Sequence, residues 1–411
     1  MLDLRWRGYR PDDWAYEPQA FDIHNPDPRF IENPYPTYAR LRDESPVHRN
    51  ADGTFLVTRY DDVKAIFAMK AVSNRKDVLF RKQFGDSPIM EHHSSVMVFR
   101  DPPEHVAIRQ TISRAFTPPA LAKFEPQVDA LVAELVQGLR RKGDFDLVED
   151  LAYPLPVWVI TTMMGVPVED RSVFTRWSAG ISMSLEPLPT PEQTKEANAV
   201  VVDMKDYFRD LLNERRRRPG DDLISLLVSG EREGYRLSEQ DLLHNCAFLL
   251  TAGHETTSSL LAAGVMALLA FPDQMQLLVQ DENLVASAVD EFLRYDSPNQ
   301  LGGRTIKEEL VLHGVRIPAD TFVWVSNGAA NHDERKFENP EQVDIRRNPN
   351  PHLAFGHGLH LCLGASLARL EGRSAFKGIR EILPHFRLTG EVVRRPRARH
   401  RGFKSIPMSL A

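Results

Sequence analysis

The chain has 411 residues, of which 42% are hydrophobic and 26% charged, the proportions of a globular protein with a substantial core rather than of a disordered or fibrous one. A count of 51 basic against 57 acidic residues leaves a net charge of −6 and no global positive field for nucleic acid. Two cysteines, Cys246 and Cys362, are too few for a disulfide framework or a four-cysteine zinc site.

In chain order, Asp3, Arg5, Arg7, Arg10 and Asp12 interrupt what an export signal would need as an apolar run, which predicts a cytoplasmic protein. Residues 45–60 give two short alternating runs around Asp52-Gly53, the signal of a β-hairpin. Segments 71–100 and 178–195 mix Gly, Pro, Ser and His without a sustained period and read as mobile connections, a kind of loop that is usually functional in a compact domain. Apolar residues spaced three and four apart predict helices at 128–143, 197–216, 237–271, 284–295 and 363–382. Strand-like alternation occupies 309–326, with turns at His313-Gly314 and Pro318-Ala319-Asp320. Basic runs at 215–218 and 394–401 read as solvated ends, and 215–218 also suits a helix C-terminus, whose dipole favours cations. With no repeat or composition break, residues 1–411 read as one domain, mainly α with a smaller β portion.

Two places in this pattern call for chemistry. In 352–372, HLAFGHGLHLCLGASLARLEG, Gly356, Gly358 and Gly364 free the backbone around Cys362, and a helix begins directly after it. Free N–H groups and the positive end of a helix dipole stabilise a thiolate, which makes this a metal-ligand setting. A buried structural cysteine beside a turn is the alternative, though it leaves the glycines unexplained. Cys246, in an apolar helix, reads as core. The second place is Ala252-Gly253-His254-Glu255-Thr256-Thr257, a polar interruption in the apolar segment 248–271. Charge there is expensive at membrane depth, so the segment reads as a buried helix without membrane insertion. Its glycine admits a flat object, and its threonines can bond back to carbonyls one turn earlier; the alternative is a polar patch facing solvent or a neighbouring helix.

Phe355, Gly358, His360, Cys362 and Gly364 match the pattern Phe-x-x-Gly-x-His/Arg-x-Cys-x-Gly, and here the chain resembles the cytochrome P450 family. The resemblance implies the cytochrome P450 fold, with haem b between a long oxygen-binding helix and the cysteine loop. Cys362 would be the thiolate ligand of the iron, a role known for this family. Gly364 would allow close approach to the porphyrin, Phe355 would pack beneath the ring, and His360 would bond a propionate. The family's Ala/Gly-Gly-x-Asp/Glu-Thr-Thr run is matched at 252–257. By that match Ala252 and Gly253 would form the oxygen groove, Glu255 and Thr256 would relay protons, and Thr257 would be structural. His105 and Arg109, four apart, and Arg304 in GGRTI would be cations for the propionates. Glu291 and Arg294, three apart, would lock with Arg347 and hold the cysteine loop. His332, Glu334 and Ser366 depart from the usual Arg, Pro and Pro, with effects expected on local stability alone.

The implied activity is that of a haem-thiolate monooxygenase that inserts one oxygen atom of O2 into a small to medium, largely apolar organic substrate by hydroxylation, O-dealkylation or epoxidation. The length leaves room for the haem domain alone, so electrons would come from a separate ferredoxin and ferredoxin reductase, docking near Arg114 and Lys123 on a monomer. A peroxide-driven peroxygenase or a non-catalytic haem-thiolate sensor would share the cysteine but has no use for the Glu255-Thr256 relay. Candidate apolar pocket residues are Phe84, Met90, Val96, Ile181, Met183, Leu249, Leu250 and the 301–302 turn, and Ser94, Ser95, Ser182, Ser184 or Arg81 could meet a polar group.

Overall fold

The computed structural model describes residues 18–187, 189–232 and 237–411, so the N-terminal charges from Asp3 to Asp12 lie outside the described residues. Helices dominate, and the predicted ones form at Glu125–Lys142, Pro191–Arg217, Glu239–Ala270, Val285–Tyr295 and Ala365–Ile379. In Glu125–Lys142 the residues Val128, Val132, Val136 and Leu139 are buried, three basic residues occupy the last turn, and Gly143 at φ +71° ends the helix. Pro191–Arg217 starts in a capping box of Thr190 and Gln193 with a proline in its first turn.

The two segments read as irregular are largely helical. Residues 71–100 hold Asp77–Phe84 and Pro88–Ser95, while 178–195 is the end of Arg171–Met183 and the start of Pro191–Arg217. Each helix inside 71–100 has 8 residues, too few to raise a periodic signal. Local chemistry forms them instead: Ser87 caps the Met90 N–H with Pro88 in the first turn. Phe80, Phe84 and Phe99 then close around His93, with ring centroids 4.6, 5.8 and 5.6 Å away.

The chain divides into two compact units. The first comprises the chain up to Ala71, Glu125–Leu155 and Thr256–Ala411. Four of its strands run in the order Val47–Arg49, Phe55–Val57, Phe322–Ser326, Leu301–Ile306, of which the first two form the predicted hairpin. The predicted turn at His313-Gly314 joins Leu310–Leu312 to Val315–Ile317 with φ of 50° and 78°. Beside the sheet, the second half of the long helix Glu239–Ala270 meets the helices Val285–Tyr295 and Ala365–Ile379 at Gly264, where an added Cβ would lie 2.4 Å from Phe376 and 2.6 Å from Phe292. The basic run 394–401 is not solvated: Arg394, Arg397 and Arg401 are buried. Asp296 explains much of this, since it takes Arg401 Nε at 2.7 Å, Arg394 Nη2 at 3.4 Å and the Tyr35 hydroxyl at 2.8 Å.

The second unit comprises Val72–Phe124 and Pro156–Glu255. Arg215 is likewise no solvated end: it binds Asp222 and the Gly165 carbonyl, both at 2.6 Å. Cys246 is buried and its thiol is pushed up to about 12 by desolvation, as suits a core residue. The helix Pro88–Ser95 is tied to the start of the long helix by His92 and His244, whose Nδ1 atoms are 3.1 Å apart, and by Asn245, whose Nδ2 donates to the Ser95 carbonyl at 3.2 Å. Glu91 bonds Lys205 at 2.8 Å and stands 3.4 Å from His244 Nε2. Among the described residues no single helix is long and apolar enough to cross a membrane.

Burial pushes His244 down to about 4 and His92 well below the ordinary imidazole value. Below the unfolded value of about 6.5 the unfolded chain takes up a proton that the folded chain refuses, so the stabilisation is complete above that pH and is lost as pH falls toward 4. In urea titrations across this window, the drop in unfolding free energy should be steeper for the wild type than for His244→Gln; equal slopes would refute the assignment.

Candidate active site around Cys362

Cys362 follows a single turn of 3-10 helix, Gly358–His360, and precedes the helix Ala365–Ile379, with Gly364 at its N-cap. The Cys362 N–H donates to the Phe355 carbonyl at 2.9 Å, and the Leu361 N–H to that of Gly358 at 3.1 Å. The loop requires glycine at 358 twice over: φ is +74°, and a Cβ would lie 2.8 Å from the Phe67 carbonyl oxygen. At Gly364 a Cβ would meet no protein atom within 4 Å, so nothing in the chain itself demands glycine there and the space beside the exposed Cys362 is open to a ligand.

This loop has little regular structure of its own and is held from the helix Val285–Tyr295. Glu291 and Arg294, both fully buried, pair at 2.8 and 2.9 Å. Glu291 also accepts from Arg347 Nε at 3.1 Å, Asn350 Nδ2 at 3.1 Å and the Asp344 N–H at 2.9 Å. Arg294 spends its remaining N–H groups on the carbonyls of Asn331, Pro340 and Gln342. The lock expected of Glu291, Arg294 and Arg347 is therefore present. His332 is stacked on Tyr35 at 4.1 Å and bonds the Tyr295 carbonyl at 2.7 Å and Glu341 at 3.1 Å, so it fills the same interior with a smaller group. Burial would raise Glu341, but the charge and hydrogen bond of His332 hold it below its ordinary value. Glu334 meets Arg42 at 3.2 Å.

Arg304, on the strand Leu301–Ile306, is buried with its guanidinium 4.7 Å from the Phe67 ring centroid. Phe67 thus receives Arg304 on its ring while its carbonyl faces Gly358, which brings two predicted residues together through a third that the sequence reading missed. Apolar periodicity places Phe67 in a core and nothing more. His360 lies in the turn before the cysteine, partly exposed. Phe355 contacts Arg369, whose guanidinium is 4.7 Å from its ring centroid, and the His352 ring at 5.7 Å.

On the long helix, Ala252 is exposed and Gly253 and Thr256 partly so, whereas His254, Glu255 and Thr257 are buried. Positions 252, 253 and 256 share one helical face, so an open strip runs along an otherwise enclosed helix. Ile160 lies 3.1 Å from where a Gly253 Cβ would stand, so a larger residue would be crowded. His254 Nδ1 contacts the Leu250 carbonyl at 3.2 Å, a local competitor of the helical ladder. In the second unit, His105 and Arg109 share a face of Glu104–Ser113. Burial, and then Arg109, push His105 down to about 4. Arg81 is displaced from its expected role, being exposed and paired with Asp86. Ser184 already serves the Ile181 carbonyl and His93.

The donor chemistry can be tested against a metal. Among the described residues no group of three His, Cys, Asp or Glu side chains could hold a metal ion, so iron at Cys362 would bring its other ligands with it. A planar macrocycle fits a single thiolate, the cleared space at Gly364 and a cation on Phe67.

The family model described as "Cytochrome P450" matches residues 47–405. The chain belongs to the cytochrome P450 family. This P450 is 38% identical over 390 residues to the vitamin D(3) 25-hydroxylase of Pseudonocardia autotrophica, covering 93% of this chain and 94% of that protein. It is 37% identical over 407 residues to the cytochrome P450 monooxygenase PikC of Streptomyces venezuelae, covering 95% and 94%. Among solved structures, CYP109E1 from Bacillus megaterium in complex with testosterone superposes with a TM-score of 0.86 at 31% identity, covering 93% and 99%. P450s bind haem b and are oxygen-incorporating oxidoreductases of organic substrates, and this chain is one of them.

Glu291→Gln should leave Arg294 and Arg347 buried without their counter-charge and cost about 3–5 kcal/mol in urea unfolding, with less haem retained on purification. A loss within the range of an exposed ion pair, below about 1 kcal/mol, would refute the lock.

Proposed function

We propose that this P450 inserts one oxygen atom of O2 into a small to medium, largely apolar organic molecule, with Cys362 as the iron ligand and Glu255 and Thr256 as the proton relay. The observation that carries this reading is the open strip at Ala252, Gly253 and Thr256 on a helix whose adjoining Glu255 is buried. When bound, haem supplies the redox chemistry that places one oxygen atom in the substrate and releases the other as water.

The chain's own residues divide the remaining work. The positive end of the helix Ala365–Ile379 would favour the thiolate form of Cys362, which would supply electron density to the iron. Gly364 would leave room for the macrocycle, Gly358 lets the loop pass the Phe67 carbonyl, and Phe355 would pack against the macrocycle. Arg304, Arg109, His360 and His105 would bond its carboxylates. Ala252 and Gly253 leave room for O2 beside the long helix. The Thr256 hydroxyl holds a water that delivers the proton, and Glu255 replenishes it without admitting bulk water.

The substrate would meet buried Phe84, Met90, Val96, Ile181, Leu249 and Leu250, with Met183 partly exposed. A relative named for vitamin D(3) and a structural neighbour solved with testosterone support an apolar guest. Hydroxylation of such a skeleton is the reading we favour over O-dealkylation and epoxidation. Electrons would come from an acidic ferredoxin and its reductase, for which Arg114 and Lys123 are both exposed. A monomer in the cytoplasm is part of the same proposal, by likeness to the bacterial relatives.

Thr256→Ala should keep substrate-induced spectral binding within about twofold while product formed per electron consumed falls by about tenfold or more. Unchanged coupling, measured as product against NADH and peroxide, would refute the relay. Cys362→Ser should abolish the thiolate signature of the ferrous carbon-monoxide spectrum, and an unaltered band would overturn the ligand assignment.

A further inference from the structure

Asp290 immediately precedes Glu291 on the helix Val285–Tyr295, yet the two carboxylates hold different parts of the chain. Glu291 faces inward to residues 344–350. Asp290 accepts from Arg369 Nε at 2.7 Å and from His352 Nε2 at 3.2 Å. The tautomer of His352 is set by its neighbours: its Nδ1 accepts the Ala354 N–H at 3.3 Å, so Nε2 carries the proton given to Asp290. Burial would raise the Asp290 carboxyl, but hydrogen bonds from His352 and Arg369 hold it below its ordinary value. Both partners also contact the Phe355 ring, Arg369 with its guanidinium 4.7 Å from the ring centroid and His352 with its ring at 5.7 Å, and the Phe355 carbonyl receives the Cys362 N–H at 2.9 Å.

We propose that Asp290 is a positioning residue for the axial cysteine, holding Arg369 and His352 against Phe355 and neutralising the Arg369 charge beside the cysteine loop. This rests on the reading of Cys362 as the haem ligand. As an ion pair alone it would matter little, because the side chains of Asp290 and Arg369 are 31% and 36% exposed and such pairs contribute about 0–1 kcal/mol. Its effect is instead local and electrostatic. Without the Asp290 charge, Arg369 stands uncompensated over Phe355, and an added positive charge near the iron favours the ferrous state, which carries one positive charge fewer. Loss of Arg369 acts in the opposite sense. With Arg369 and His352 no longer held against it, Phe355 also loosens the carbonyl that takes the Cys362 N–H.

The test uses the haem-loaded protein and the variants Asp290→Asn, Asp290→Glu, Arg369→Gln and the double variant Asp290→Asn/Arg369→Gln. Spectroelectrochemistry gives the ferric/ferrous equilibrium, the ferrous carbon-monoxide spectrum gives thiolate ligation, and hydrogen exchange reports on residues 355–364. Asp290→Asn should raise the ferrous-to-ferric ratio at fixed applied potential by about threefold or more and quicken exchange in 355–364. Arg369→Gln should lower the ratio, the double variant should fall between the single ones, and Asp290→Glu should restore the wild-type ratio. Potentials and exchange equal to the wild type, with a thiolate-type carbon-monoxide band, would overturn the role of Asp290 while leaving Cys362 as ligand. So would a lower unfolding temperature as the sole change. A carbon-monoxide band unaltered by Cys362→Ser would instead overturn the reading beneath it.

Discussion

The fully buried carboxylate of Glu291 accepts from two guanidinium groups, one amide and one main-chain N–H. Burying such an ion costs several kcal/mol, and the cost is offset only when every lone pair and every facing proton is matched. Here the match extends outward, because Arg294 uses its other donors on three carbonyls between Asn331 and Gln342. Residues 331–361 contain little helix or strand, so their main-chain polar groups have no ladder to join. The Glu291–Arg294 pair, with Asn331 accepting the Leu353 N–H at 2.7 Å, supplies the missing partners. The path of the chain leading to Cys362 therefore depends on charges two segments away as well as on the glycines of its own loop.

Helix packing provides the rigid frame for this lock. Gly264 lets the second half of the long helix approach Phe292 and Phe376, residues on the helix that carries Glu291 and the helix that follows Cys362. Three helices in contact at one small residue fix the distance between the lock and the cysteine, since aromatic side chains at core density leave no slack. The open strip on the same long helix has the reverse character. Ala252 and Gly253 withhold side-chain volume, while the neighbouring Glu255 is kept from solvent, so a polar group is stored beside a space that stays open. Such departures from ordinary helix composition are what a ligand-binding position produces.

Much of this was legible in the residue order. The five principal helices follow from apolar spacing, the hairpins from Asp52-Gly53 and His313-Gly314, and the cysteine loop from its glycines, because each signal is local and acts within one or two turns of chain. Two-turn helices such as Pro88–Ser95 escaped notice because 8 residues do not establish a period and the caps that form them are single side chains. The basic run 394–401 was misread for a different reason. A charge pattern says nothing of a distant Asp296 that draws Arg394 and Arg401 inward.

By itself the sequence determined the fold class, the cysteine at a helix start, the polar interruption in the long helix and the family to which these belong, since all are written as residue types at fixed spacing. Tertiary structure alone decided that burial and Arg109 lower the His105 pKa, that Arg81 faces solvent, that Phe67 joins Arg304 to the cysteine loop, and that Asp290 grips both neighbours of Phe355. The physical reason is the same in each case. Protonation, charge balance and close approach depend on which groups share a small volume, and residues as far apart in the chain as Asp290 and Arg369 share one only after folding.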